Sequence, residues 1–206
     1  MKKYLAALST LALIGMTPHA VAASSTDLTV TGSITPSACT PSLTENGNID
    51  YGKISARDLN PTTSTNLEPR TIFLNVNCEA ATRFALQGHD NRLGSSNQAT
   101  SFGLGKINGD QNLGRFVLAM ASAVADGVGV QAIKSADGQT GWVGHLFWNP
   151  GYYVSVADRA DLTTPIPVKD MEMELLISAS ISPANDLDLT HEVNLDGSAT
   201  LEMKYL

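Results

Sequence analysis

A chain of 206 residues with 20 acidic and 13 basic side chains has a formal charge of −7. That balance excludes a function built on nucleic acid, which requires a basic footprint, and electrostatic attachment to anionic lipid. With 17 glycines and only 6% aromatic residues, the composition is that of many short strands joined by turns.

In chain order, Lys2 and Lys3 precede an apolar stretch from Leu5 to Met16, and Ala20-Val21-Ala22 fits an A-x-A cleavage site. Residues 1–22 are expected to be an export signal, with the mature chain beginning near Ala23. The apolar stretch is shorter than the ~20 residues that a membrane span needs. Two lysines leave with the signal, so the mature charge moves from −7 to −9. What remains is an exported, soluble chain long enough for one domain with a sizeable core. It keeps two cysteines, Cys39 and Cys78. In an oxidising compartment an even count reads first as a disulfide; a redox pair or a metal site would need closer spacing or histidine neighbours.

In "STDLTVTGSI", Leu28, Val30, Gly32 and Ile34 fall on one face of a strand. "TPSLTENGNIDYG" reads as a turn-rich connection and "ARDLNPTTSTNLEP" as a surface loop. "TIFLNVNC" is the next strand, with Ile72, Leu74, Val76 and Cys78 on one side and Phe73, Asn75 and Asn77 on the other. "TRFALQG" adds a short strand, and the glycine-rich stretch 88–114 has no apolar period, as in a loop or irregular hairpin.

"RFVLAMASAVADG" fits either a buried helix segment or a strand buried on both faces. The turn-forming "ADG" here, and again at Ala136–Gly138, favours strands and hairpins. "GWVGHLFWNPGYYVSV" is strand-prone aromatic sequence, and "MEMELLISASIS" alternates through Met171, Met173, Leu175, Ile177, Ala179 and Ile181. The chain closes on "GSATLEMKYL", where Leu201, Met203 and Tyr205 alternate with Glu202 and Lys204. The expected fold is an all-β sandwich of short antiparallel strands. A strand so regular at a chain end implies a sheet closed by another element, or an edge meant to be occupied.

Sequence patterns for chemistry are absent. His89, His145 and His191 sit in separate segments without ligand-spaced neighbours. "GLGKING" fails as a phosphate loop, because Thr100 stands where the first glycine is required and Ile107 follows Lys106. There is no Gly-x-Ser-x-Gly elbow, and the Asp-Gly pairs lack the spaced acids of a calcium loop. No catalytic residue, metal or cofactor is expected, and the protein is not expected to be an enzyme.

Three features together resemble subunits of chaperone–usher pili (fimbriae). "VTGSITPSAC" is similar to the pilin pattern Gly-x-Val-x4-Cys, with Gly32 seven residues before Cys39. Cys78, about forty residues further on, closes an alternating strand. "ATLEMKYL" is similar to the pilin ending Ala-Thr-Phe-x-Val-x-Tyr-x, with Tyr205 in the penultimate place. The chain looks most like a branch of pilin-like proteins associated with the β-type fimbrial clade, sharing "FGLG…NG…LG" and "LDGSATLEMKYL". It departs from the pattern at the fourteenth residue from the end, which is Val193 where pilins carry glycine; Gly197 is the nearest candidate.

The resemblance implies an immunoglobulin-like sandwich over residues 37–206 that lacks its last strand, preceded by an N-terminal extension over 23–36. It implies a groove flanked by the terminal strand, with Gly197, Leu201, Met203, Tyr205 and Leu206 at its edge. Leu28, Val30, Gly32 and Ile34 would form the donor strand that fills the groove of a neighbour. The implied partners are a periplasmic pilus chaperone, an outer-membrane usher and neighbouring pilus subunits, on a route through the periplasm to the cell surface; no receptor is indicated. The alternative is a self-complete periplasmic or secreted β-sandwich binding module that does not polymerise.

Overall fold

The computed structural model describes residues 28–31 and 38–206. The chain divides between Ile34 and Thr35, and the fold belongs to the second unit, Thr35–Leu206. The expected export signal, Gly32 and Ile34 all lie outside the described residues.

In chain order the strands are β1 (Cys39–Leu43), β2 (Thr65–Asn66), β3 (Arg70–Thr82), β4 (Phe84–Asp90), β5 (Phe102–Gly103), β6 (Lys106–Ile107) and β7 (Gln111–Asn112). They continue with β8 (Gly114–Ala125), β9 (Val128–Ser135), β10 (Val143–Gly144), β11 (Phe147–Trp148), β12 (Tyr153–Ala157), β13 (Val168–Ile181) and β14 (Ala199–Tyr205). Helical structure among the described residues is confined to single 3-10 turns at Thr44–Gly47, Ala56–Asp58 and Ala184–Asp186. None of the described helices is long and apolar enough to cross a membrane.

Period-two sequence accounts for the long strands. In β3 the side chains of Ile72, Leu74, Val76 and Cys78 are buried, and in β13 so are Met171, Met173, Leu175, Ile177, Ala179 and Ile181. Each fully buried aliphatic side chain stabilises the fold by about 1.5–3 kcal/mol relative to exposure.

The ambiguous segment 114–125 is a strand, β8, and its second face is only half-covered. Phe116, Leu118 and Met120 point inward, and then the phase changes to Ala123 and Ala125. The cause is a bulge. Leu175 of β13 faces Met120 while Glu174 faces Ser122, leaving Ala121 as the extra residue. The hairpin from β8 to β9 turns on Asp126-Gly127, both with positive φ (49° and 79°), the primed geometry that matches strand twist. The Asp126 carboxylate accepts the Asp170 N–H at 2.8 Å and so pins this tip to β13.

The strands follow one antiparallel path, β1-β3-β13-β8-β9-β12-β4-β14. One layer holds β1, β3, β13 and β8, the other β9, β12, β4 and β14, and their inward side chains form the main core. The fold is thus the expected all-β antiparallel sandwich. Cys39 and Cys78 form a disulfide and face each other directly across the β1–β3 ladder. Such bridges persist in oxidising, exported compartments.

One expectation is corrected. Thr40–Leu43 is strand, not turn, with Pro41 and Leu43 paired to Val76 and Leu74. Its proline disguises it, but proline is tolerated where a strand lies at a sheet edge.

Candidate functional site

β1 and β14 are the two ends of the strand path. Among the described residues, β1 pairs with β3 and β14 with β4, and neither ladder continues on the far side. The two edges lie in different layers and are joined where the Cys39 N–H donates to the Tyr205 hydroxyl at 2.9 Å. Away from that contact they part to leave an open seam.

The seam widens into a cavity of about 320 Å³. Leu43, Ile49 and Tyr51 form one lip; Leu195, Gly197, Ala199 and Leu201 form the other. Its floor is apolar, made by Ile72 of β3, Phe116 and Leu118 of β8, Leu175 and Ile177 of β13, and Leu104. Ile49, Tyr51 and Leu195 also line a second cavity of about 620 Å³, which extends the seam between the segments 49–59 and 189–195.

A gradient of burial marks the opening. Inward residues of the central strands are almost fully covered, Leu74 and Leu175 to 1% exposure. Leu43, Ile49, Tyr51, Val193, Leu195, Ala199, Leu201 and Met203 pack against the same core but stay half-buried. These side chains are placed like core and hydrated like surface, the condition in which apolar area drives association.

Gly197 sets how closely the second lip lies on the floor. A Cβ at this position would stand 2.9 Å from Leu104 Cδ2 and 3.1 Å from Phe116 Cε1. The Phe116 ring cannot retreat freely, since it stacks on Phe102 with centroids 5.1 Å apart. Gly197→Ala is expected to cost about 1–3 kcal/mol through overpacking, read as a lower urea midpoint. Just before it, Asp196 is fixed by Arg92, whose Nε and terminal nitrogen donate to the two carboxylate oxygens at 2.9 and 2.6 Å. That bidentate pair holds the Asp196 carboxyl below the usual carboxylate range.

Among the described residues the first cavity is lined by no charged side chain, whereas Asp50, Lys53, His191 and Glu192 line the second. On β14, Glu202 accepts from Lys204 at 2.5 Å and lies 3.0 Å from His89, and these neighbours, Lys204 first, hold its carboxyl below the usual range. Inside the seam, burial pushes the Tyr51 phenol up, opposed by the Arg70 guanidinium 5.7 Å from the ring centroid. Among the described residues no group of three or more His, Cys, Asp or Glu side chains could hold a metal ion. The first cavity is therefore suited to an uncharged, apolar stretch of an extended occupant, while the second offers it charged side chains.

Of the residues singled out from the sequence, Leu201 and Met203 pack from β14 against the core and Gly197 lies on the lip, whereas Tyr205 is 43% exposed and only its hydroxyl is shown meeting β1. Leu206 follows the strand, its N–H donating to the Arg83 carbonyl at 3.0 Å. Leu28 and Val30 are 90% and 88% exposed. Missed were Ile49, Tyr51, Leu189, Val193 and Leu195, which lie in irregular segments. The signal that could have found them is the alternation in "VNLDG" and the isolated apolar residues of "NIDYG".

Residues 28–101 match the model of a family described as a protein of unknown function (DUF1120). The chain is similar to the uncharacterized protein YhcF of Escherichia coli (strain K12), 27% identical over 232 residues, covering 95% of each chain. It is also similar to the protein GltF of the same organism, 27% identical over 247 residues, covering 98% of this chain and 95% of that one.

Proposed function

We propose that this protein is a structural or adhesive subunit of a chaperone–usher fimbria, polymerising by donor-strand complementation and contributing to cell adhesion. The observation that carries the reading is the seam, where two edge strands flank an apolar floor. A strand supplied by another molecule would hydrogen-bond to an exposed backbone edge and place alternate side chains against Leu43, Ile49, Leu195 and Leu201. In the periplasm that strand belongs to the chaperone. At the outer-membrane usher it is replaced by the N-terminal extension of the next subunit, with Leu28, Val30, Gly32 and Ile34 as its inward face. The pilin-like spacing of Gly32, Cys39, Cys78 and Tyr205 supports the same reading, as does the export signal read in residues 1–22.

The test is capture by the cognate chaperone. Deleting Tyr205 and Leu206 removes the residue that meets β1 and is expected to abolish co-purification with that chaperone; unchanged capture would overturn the reading. Expressed in the periplasm without a chaperone, the full-length chain is expected to be degraded or to aggregate, because an open apolar seam is an aggregation site. Recovery of a stable monomer at ordinary yield would instead identify a self-complete binding module.

A further inference from the structure

The two layers have a second place where they part. β8 and β9 pair only over Ala123–Ala125 with Val128–Val130. Beyond that, β8 continues beside β13 and β9 beside β12. The edges left facing each other, around Leu118–Met120 on β8 and Ile133–Lys134 on β9, would be as open as those of β1 and β14.

They are filled from within the chain. Val143 and Gly144 pair with Lys134 and Ile133 of β9; the backbone then crosses, and Phe147 and Trp148 pair with Ala119 and Leu118 of β8. Between the two ladders the Leu146 carbonyl accepts the Met120 N–H at 2.6 Å. The crossing strap turns one large side chain inward. Trp148 is 1% exposed, and its Nε1–H donates to the Tyr152 carbonyl at 3.1 Å, so no polar atom is orphaned by the burial. Gly88 of β4 makes the room, since a Cβ there would stand 2.8 Å from the indole nitrogen. Asn149 anchors the strap's end, accepting from Lys134 Nζ at 2.5 Å and donating to the Thr100 carbonyl at 2.9 Å.

We infer that Val143–Trp148 is an internal donor strand, which closes the opening between β8 and β9 from within the chain as a strand from outside would close the seam between β1 and β14. An extended peptide with one aromatic side chain at the Trp148 position is the class of ligand that would replace it. This holds whether or not the protein builds a fimbria, because it concerns the other end of each layer.

The test adds a fluorescent peptide copying Val143–Trp148 to the full chain and reads anisotropy, alongside amide exchange at Met120. With Leu201→Asp blocking the β1–β14 seam, the otherwise unaltered chain is expected to leave the peptide unbound and to protect the Met120 N–H. Trp148→Ala in that background is expected to bind one peptide per chain, at least about tenfold more tightly than a peptide whose final Trp is Ala, and to speed Met120 exchange about tenfold or more. Should Trp148→Ala fail to fold, Gly88→Ala, which crowds the indole from β4, carries the same readouts. The inference is overturned if the folded variant ignores the peptide and keeps Met120 protected, or if Met120 of the wild type exchanges as fast as an open loop.

Discussion

Replacing both Cys39 and Cys78 by alanine is expected to lower the stability of the sandwich by about 4 kcal/mol. The bridge spans a sequence separation of 39 residues, and closing a loop of that length removes roughly this much chain entropy from the unfolded state. Alanine is the right replacement, because Cys78 is 1% exposed and a serine hydroxyl there would add its own burial cost of about 1–3 kcal/mol. The loss is large against the 5–15 kcal/mol that holds a typical domain together. It would fall first on β1, which has five ladder pairs and none on its outer edge among the described residues. Urea unfolding followed by circular dichroism measures it. A midpoint that shifts by less than the equivalent of about 1 kcal/mol would mean that β1 is held by other contacts, and that the first lip of the seam does not depend on the bridge.

Leu201→Asp is expected to abolish strand docking while sparing the fold. Leu201 points into the seam from β14 and is half-buried in the isolated domain. An aspartate there can keep its carboxylate in water as long as the seam is open, so the expected cost to the free domain is about 1–2 kcal/mol. Once a strand lies over it, the carboxylate must be buried without a partner, since none of the described residues that line the first cavity is a cation. That penalty is several kcal/mol, which converts to a loss of affinity of more than about 100-fold. Titrating a labelled peptide spanning Ser25–Pro36 into wild type and variant gives the number. Affinity within threefold of the wild type would show that the occupant does not use the inward face of β14.

The long strands were legible because their environment is two-sided. In β3, β13 and β14 one face meets the core and the other meets water, so period two is written directly into the residues. β8 was ambiguous for a physical reason: small side chains such as Ala119 and Ala121 erase the polar half of the pattern, and a bulge at Ala121 then shifts its phase. β1 was hidden by Pro41, whose tolerance depends on edge position, a property of the assembled sheet. The seam was half visible. Leu201, Met203 and Tyr205 announce themselves by alternation, whereas Ile49, Tyr51 and Leu195 face inward only because tertiary packing turns irregular backbone that way. "GWVGHLFW" reads as strand-prone, yet its division between two ladders follows from the parting of β8 and β9, which no local pattern records.

The Asp126-Gly127 hairpin, pinned to β13 by the Asp126 carboxylate, is also a mechanical statement. The short β8–β9 hairpin is where the strand path passes from one layer to the other, and β1 and β14 stand at its two ends. Asp126 and Gly127 line neither cavity, so a substitution at this turn would test the joint between the layers without altering any residue that an incoming strand would touch.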